Sequence, residues 1–449
     1  MTGFRRQQLG EAVSAYGNGA IGGKGEGLLF LDRVLVKRKL RGVEPLVSII
    51  LTTDVYNRVM DNGGRFDTET LGMLREVHAS FGMQPIGVRP SEKDENDPNV
   101  PTSGQNISFM LPNGHEDPET RFSQFLAAIT HAFHQFTEKL RKDGREKGGG
   151  VAIVMNPVHG VRMGTEAGVI YCPLSSGVAD SHFYHPLAGM KPDEGYARMV
   201  FGHGYGAVRS DSEVEAIPIV SAMRPVNTNW GKSQSRFYAI DMGKNVSLEG
   251  RDMETVSLFH ISFAGKHADR FGRGKHGGVD FSRLLATGLN HEKKDEFGYM
   301  SGLRSIMEAV RAEMGCFQIE FTFNIRGDDG VFHLVQYKRM PDVLNRNVDI
   351  PQDGKPEYLS TDRVQGHGMI RGLRYAVVLS PWNYRKEMHA EVHRKLREIN
   401  LEMGQRGERY VLVCPGRIGT TNRDWGVDVD FSIISNAAVM AEYGFDIAG

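Results

Sequence analysis

Apolar positions along this 449-residue chain recur with two different periods, and the switches between them mark out its elements. Leu28, Leu29 and Leu31 follow the glycine-rich stretch IGGKGEGL and read as the buried face of a helix that starts there. LVSIILTT (46–53) is a short continuous apolar run, the pattern of a buried strand. TETLGMLREVHASFG (68–82) reads as a helix ended by Gly82, and QPIGVRP (84–90) as a strand running into a polar loop, 91–106. Apolar residues at three- and four-residue spacing predict an amphipathic helix over 121–142. VAIVMNPV (151–158) and GVIYCPL (168–174) are expected to be two strands of one sheet. CFQIEFTFNI (316–325) and GVFHLVQYKRM (330–340) alternate with period two and predict a β-hairpin across RGDD. A helix near 385–400, the strand YVLVC (410–414) and the loop PGRIGTTNRDWG (415–426) follow a polar stretch.

Length adds a division into parts, since one compact core does not grow this large. The polar stretch 342–362 is read as a linker between a main domain, 1–341, and a smaller C-terminal α/β extension, 363–449. A formal net charge of −1 argues against a general nucleic-acid binder. The three cysteines, Cys172, Cys316 and Cys414, form no C-x-x-C pair, which fits a reducing, cytoplasmic setting better than a disulfide framework. The start MTGFRRQQLGEAV lacks the apolar core of a secretory leader, and no run reaches the length of a membrane span. Glycine is in excess, 54 of 449 residues, where about 7% is usual. The excess falls in short clusters, where backbones approach ligands or bend.

One of those clusters holds a single cation, Lys24, among Gly22, Gly23, Gly25 and Gly27. A helix start presents free N–H groups and partial positive charge, which suits an anion such as phosphate. The bland alternative is a flexible turn with an exposed lysine. The spacing is not that of a Walker loop.

Several stretches in order then resemble one family. IGGKGEGL, VRPSEKDEND…SGQNISFMLPN, SSGVADSHFYHP…MKPDEGYA…FGHGYGAV, QIEFTFN and HLVQYKRM are similar to the nucleotide-binding domain of pyruvate phosphate dikinase and phosphoenolpyruvate synthase. CPGRIGTTNRDWGVDVDFSIISNA (414–437) resembles an element of a bacterial branch of synthase-like proteins. The resemblance implies an ATP-grasp fold, with two α/β lobes closing over ATP and Mg²⁺. It implies phosphoryl transfer, in which fixed cations and a metal must offset negative charge spread over the moving group. Lys24 then matches the lysine on the phosphates and Arg89 the arginine that clamps the transferring group. Glu320 and Gln336 match the pair that meets Mg²⁺, for which oxygen ligands are suited. Ser91, Ser176, Gly177, Gly202 and Gly204 fall in the stretches that line the nucleotide, SSGV (175–178) and GHGYG (202–206) as loops offering backbone N–H groups. Lys24 and Arg89 are expected to face Glu320 and Gln336 across a gap.

The departures from the family matter as much. Pro90 stands where a serine is usual, which removes a hydroxyl and an N–H. Gln318 replaces a carboxylate, Lys338 an arginine, and Asn156–Pro157 a Gln–Glu pair near the expected adenine position, with Lys147 the nearest lysine. The swivelling histidine domain and the barrel of the family have no counterpart in this sequence. A phosphoryl acceptor is therefore expected on a separate phosphocarrier subunit or a small molecule, as phenylphosphate synthase divides its parts. Within the chain itself His203 is the residue to test as an acceptor, the alternative being a packed or hydrogen-bonded histidine. Two alternatives stand beside phosphotransfer: an ATP-grasp ligase that forms an acyl phosphate, and a catalytically reduced module that binds nucleotide or a partner. The basic run 265–278 is read as a solvated surface loop, and His131 and His134, three apart on the expected helix, are not read as a metal site because no third ligand is evident.

Overall fold

The computed structural model describes residues 4–96, 108–142, 149–165, 168–182, 192–208, 217–220, 236–243, 253–257, 261–262, 295, 297–340, 370–380, 384–419, 426–429 and 431–444. Helices and sheets are mixed, an α+β chain that divides into two compact units, Met1–Leu344 and Asn345–Gly449. The linker stretch 342–362, the basic run 265–278 and Lys147 lie outside the described residues.

Among the described residues the first unit holds three sheets. Sheet one runs β1 (Arg6–Gln8), β2 (Val13–Tyr16), β4 (Ser48–Leu51), β7 (Ala152–Pro157), β5 (Ile86–Ser91), β6 (Phe109–Leu111) across its width. Sheet two runs β12 (Ile217–Val220), β11 (Tyr196–Phe201), β10 (Ser175–Asp180), β16 (Phe317–Arg326), β17 (Asp329–Arg339), β3 (Val43–Glu44). Sheet three runs β14 (Met253–Ser257), β13 (Arg236–Asp241), β9 (Gly168–Cys172), β8 (Val161–Thr165), β15 (Ile261–Ser262). The strand at 168–172 thus does not join the sheet of residues 152–157, as its apolar pattern led one to expect. β7 is already hydrogen-bonded on both edges, by β4 and β5, so it has no edge to offer, and β9 pairs with β8 and β13 instead.

Helices α2 (Thr53–Asp61), α3 (Thr68–Ser80) and α4 (Pro118–Lys142) cover one face of sheet one with Val55, Leu74, Phe125, Ile129 and Phe133. Helix α1 (Gly22–Arg38) occupies the other face and is shared between two cores. Leu28 packs with Val13, Ile50 and Val154 of sheet one, while Leu31, Val34 and Leu35 pack with the apolar face of sheet two. A helix wedged between two sheets cannot afford bulk at its tight end. A Cβ on Gly25 would sit 3.0 Å from both Ile21 and Ile50 side chains, and one on Gly22 would strike the Ser91 carbonyl at 2.3 Å.

The short helix α5 (Tyr205–Val208) follows β11 and packs against β10, β11 and β13. The hairpin β16–β17 forms as its alternation predicts. Phe317, Ile319, Phe321 and Phe323 point into a core closed by α6 (Tyr299–Arg311), through Tyr299, Leu303, Ile306 and Val310. Gln318, Glu320, Thr322 and Asn324 take the opposite face. The second unit is a parallel sheet, β18 (Tyr375–Val378), β19 (Tyr410–Pro415), β22 (Ala437–Tyr443), with the small pair β20 (Arg417–Ile418) and β21 (Gly426–Val427). Helix α7 (His389–Arg406) buries Leu396 and Met403 against Tyr410, Leu412 and Cys414. Arg417 is exposed there, its strand paired to β21.

Candidate functional site

Strand β16 carries ten residues and β17 eleven, and the extra one decides the local geometry. Glu320 pairs with Gln336 but Phe321 pairs with Leu334, so Val335 is a bulge with no partner across the ladder. A bulge turns a carbonyl out of the ladder and re-aims its neighbours. The Val335 carbonyl is taken up by Arg89 of sheet one, whose Nη1 donates to it at 2.8 Å. The Nη2 of the same guanidinium donates to the Gln336 amide oxygen and lies 3.4 Å from a Glu320 carboxylate oxygen. Three of the anticipated residues therefore meet, though without the anticipated gap: the guanidinium itself spans the space between the sheets. Its side chain is 7% exposed, whereas that of Glu320 is 24% exposed, so the carboxylate keeps a face to solvent.

Lys24 is brought to the same region in another posture. Its ammonium donates to the Pro90 carbonyl at 2.8 Å and pairs with Glu95, a residue of the short turn Lys93–Asn96. The group is buried, and burial pulls its pKa down; the nearby Glu95 carboxylate opposes that shift, and the Arg89 charge adds to it. It lies near enough to Glu320 to feel that charge as well. An exposed lysine on a flexible turn is therefore not what the glycine cluster holds.

Nor is the helix start left open to an anion. The Gly23 N–H donates to the Glu92 carbonyl at 2.8 Å, and the Ser91 hydroxyl oxygen accepts from Lys24 N–H at 3.0 Å and from Gly25 N–H at 3.4 Å. Ser91 in turn donates to the Ile21 carbonyl at 3.1 Å. Its hydroxyl is spent on capping α1, the chemistry of an N-cap supplied from a distant strand. The expectation that N–H groups here would cradle phosphate is corrected for these three donors.

The stretch 175–178 is also not a loop. It opens β10, a strand paired with β11 on one side and β16 on the other, so its N–H groups belong to the ladder. Gly177 pairs with Phe321 on the core face, and a Cβ there would lie 2.5 Å from that ring. It is a packing glycine facing away from Glu320. Ser176 does share a face with Glu320, two positions along the strand, and donates to the Gly202 carbonyl at 2.8 Å. Gly202 adopts φ of 84° with Phe237 and the Tyr238 carbonyl pressed against it. Gly204 passes over the Ser176 side chain.

Between those glycines sits His203, held by its N–H on the Tyr238 carbonyl at 2.8 Å. Its Nδ1 is shut from solvent and has no hydrogen-bond partner among the described residues. Burial, helped by the Arg89 charge, pushes its pKa down to about 4, so the ring is neutral near pH 7. Asn156 straps β7 to β4 through Ser48 Oγ at 2.7 Å and the Val47 carbonyl at 3.1 Å. Gln318 donates to Asp180 at 2.7 Å, on the same face as Glu320.

Glu320 and Gln336 face each other across one register pair and offer a carboxylate and an amide oxygen. That donor set fits Mg²⁺, which accepts one or two protein oxygens and takes the rest from phosphates and water. Among the described residues no group of three or more His, Cys, Asp or Glu side chains is arranged to hold a metal without such help. Two participants escaped the sequence reading. Glu95 lay in a polar stretch with nothing to set it apart from its neighbours, and Val335 acts through a carbonyl that every residue has. No family model matches the chain, and no curated protein is significantly similar to it.

Proposed function

We propose that this chain is an ATP-grasp protein of the dikinase and synthase type, binding ATP with Mg²⁺ between sheets one and two for phosphoryl transfer to an acceptor on another chain or a small molecule. The observation that carries the reading is the meeting of Arg89 with Glu320 and Gln336, three residues from two sheets that the family resemblance assigns to one task. Arg89 would hold the transferring phosphoryl through its fork of donors. Glu320 and Gln336 would hold the metal, which supplies charge neutralisation to the phosphates when bound. Lys24, already paired, would act on the phosphates only through its charge unless Glu95 releases it.

That last point favours a second reading, a module that binds nucleotide or a partner but transfers nothing. The Lys24–Glu95 pair and the Ser91 cap spend inside the protein two groups that catalysis would need outside it. Calorimetry with ATP and Mg²⁺, followed by assay of ADP and AMP over hours, separates the two. Saturable binding with steady nucleotide turnover upholds phosphotransfer, and binding with none upholds the module. ADP together with a joined product would instead mark a ligase. No heat of binding at millimolar ATP would remove the nucleotide from the account altogether.

A further inference from the structure

The geometry points to Arg89 as an internal stand-in for a divalent cation, a latch that keeps Glu320 and Gln336 from taking metal until an anion draws the guanidinium away. The inference rests on the reading of Glu320 and Gln336 as metal-binding residues and adds the regulation of that site.

The guanidinium occupies the place a metal would take. Gln336 Oε1 accepts from Nη2, and the nearer Glu320 oxygen faces the same Nη2 at 3.4 Å. A cation placed between these two oxygens would stand where the guanidinium now stands. The two positive charges would also repel strongly at such range in a poorly hydrated site. Nη1 is anchored separately, on the Val335 carbonyl that the bulge turns out of the ladder. The bulge therefore provides a third acceptor that belongs to no metal set and whose use is to hold the arginine in place. An anion offers the guanidinium better partners than an amide and a partly hydrated carboxylate. Arrival of a polyphosphate would free the two oxygens at the moment a metal is needed. The latch makes binding ordered, anion before metal, and it ties sheet one to sheet two until then.

The test uses Mn²⁺ alone as the probe, its binding to the full chain followed by electron paramagnetic resonance without nucleotide. Arg89→Ala removes the latch, and Arg89→Met does so while keeping the volume of the stem, so that one variant remains if the other fails to fold. A site blocked nine-tenths of the time binds about tenfold more weakly than its intrinsic affinity. Both folded variants should accordingly bind Mn²⁺ about tenfold tighter than the unmodified chain, and adding Glu320→Gln should abolish the gain. Equal Mn²⁺ affinity with and without Arg89, or a gain that survives Glu320→Gln, overturns the latch. Calorimetry of ATP with the unmodified chain keeps the two ideas apart. ATP binding without the Mn²⁺ gain sinks the latch and leaves the nucleotide reading standing. The Mn²⁺ gain without ATP binding upholds the latch for some other anion.

Discussion

The guanidinium of Arg89 lies 3.4 Å from the carboxylate of Glu320, a residue 231 positions further along the chain. Neither residue's neighbours in sequence bring this about. β5 delivers the arginine from the strand next to the edge of one sheet, β16 delivers the glutamate from the middle of another, and α1 packs between the two cores.

Removing that contact tests its worth for the fold. Arg89→Ala leaves the Val335 carbonyl and Gln336 without their donor, and Glu320, still partly hydrated, loses a cation. The expected cost is about 1–3 kcal/mol of unfolding free energy, read as a lower urea midpoint at unchanged slope. If the protein turns over ATP, the same variant should lose about a hundredfold in rate by the loss of one electrostatic donor. A rate within twofold of the unmodified chain would take Arg89 out of the chemistry.

The Lys24–Glu95 pair is buried on both sides, at 8% and 10% side-chain exposure. Lys24→Met strands a buried carboxylate and should cost about 3–5 kcal/mol, whereas the double variant Lys24→Met/Glu95→Gln should recover most of it. Additive losses in this double-mutant cycle would show that the two side chains do not depend on each other. ATP titration of the double variant also reports whether the ammonium contributes to binding.

Ser91 and Gly177 distinguish structural roles from ligand contacts. Ser91→Ala uncaps α1 and should lower stability by about 0.5–2 kcal/mol. Gly177→Ala forces a methyl to within 2.5 Å of the Phe321 ring and 2.6 Å of the Arg198 carbonyl. That overpacking should cost about 1–3 kcal/mol. Neither change should alter nucleotide affinity by more than about twofold once stability is restored with osmolyte. A selective loss of affinity in Gly177→Ala would return that residue to the binding surface.

Acid should destabilise the protein through buried histidines. His159 and His333 stack at 3.7 Å between centroids, their planes 8° apart, and His333 Nε2 lies 3.5 Å from Glu44, which also binds Arg326. Burial, with the neighbouring imidazole and Arg326, pushes His333 down to about 4 despite Glu44, and burial lowers His159 as well. In the unfolded chain such rings take up a proton near 6.5. The folded state binds fewer protons between those values, so stability holds above about pH 6.5 and falls as the pH drops towards about 4. Each uncompensated proton contributes a slope of about 1.4 kcal/mol per pH unit. Urea midpoints measured from pH 7.5 to 4.5 should show this fall, and His333→Asn should flatten it. An equal slope in that variant would place the acid sensitivity elsewhere.

Much of the fold was legible in the order of residues because it follows local rules. The hairpin of 316–340 announces itself by the strict alternation of residues 317–325 ahead of RGDD, and α3 by an apolar stripe with Gly82 at its end. Arg89, Glu320 and Gln336 could be singled out because GVRP, QIEFTFN and HLVQYKRM resemble short motifs of dikinases and synthases. The sharing of strands among sheets was not legible. GVIYCPL is as apolar as VAIVMNPV, and nothing in either says that β7 has both edges filled. Nor does SSGV look like a central strand, because serine and glycine are common in loops.

The residue order thus settled whether the strongly patterned segments curl or extend, and singled out some of the side chains that could carry charge to a site, since pattern depends on neighbours a few positions away. How those charges are used was a matter of three-dimensional packing. Lys24 became an internal cation because α1 is wedged between two cores with Glu95 beside it, and Ser91 became a helix cap because β5 ends against the start of α1. Val335 gained an open carbonyl because one strand of the hairpin is a residue longer than the other. Burial and hydrogen-bond completion are satisfied by whatever lies nearest in space, and that neighbour is rarely the nearest along the chain.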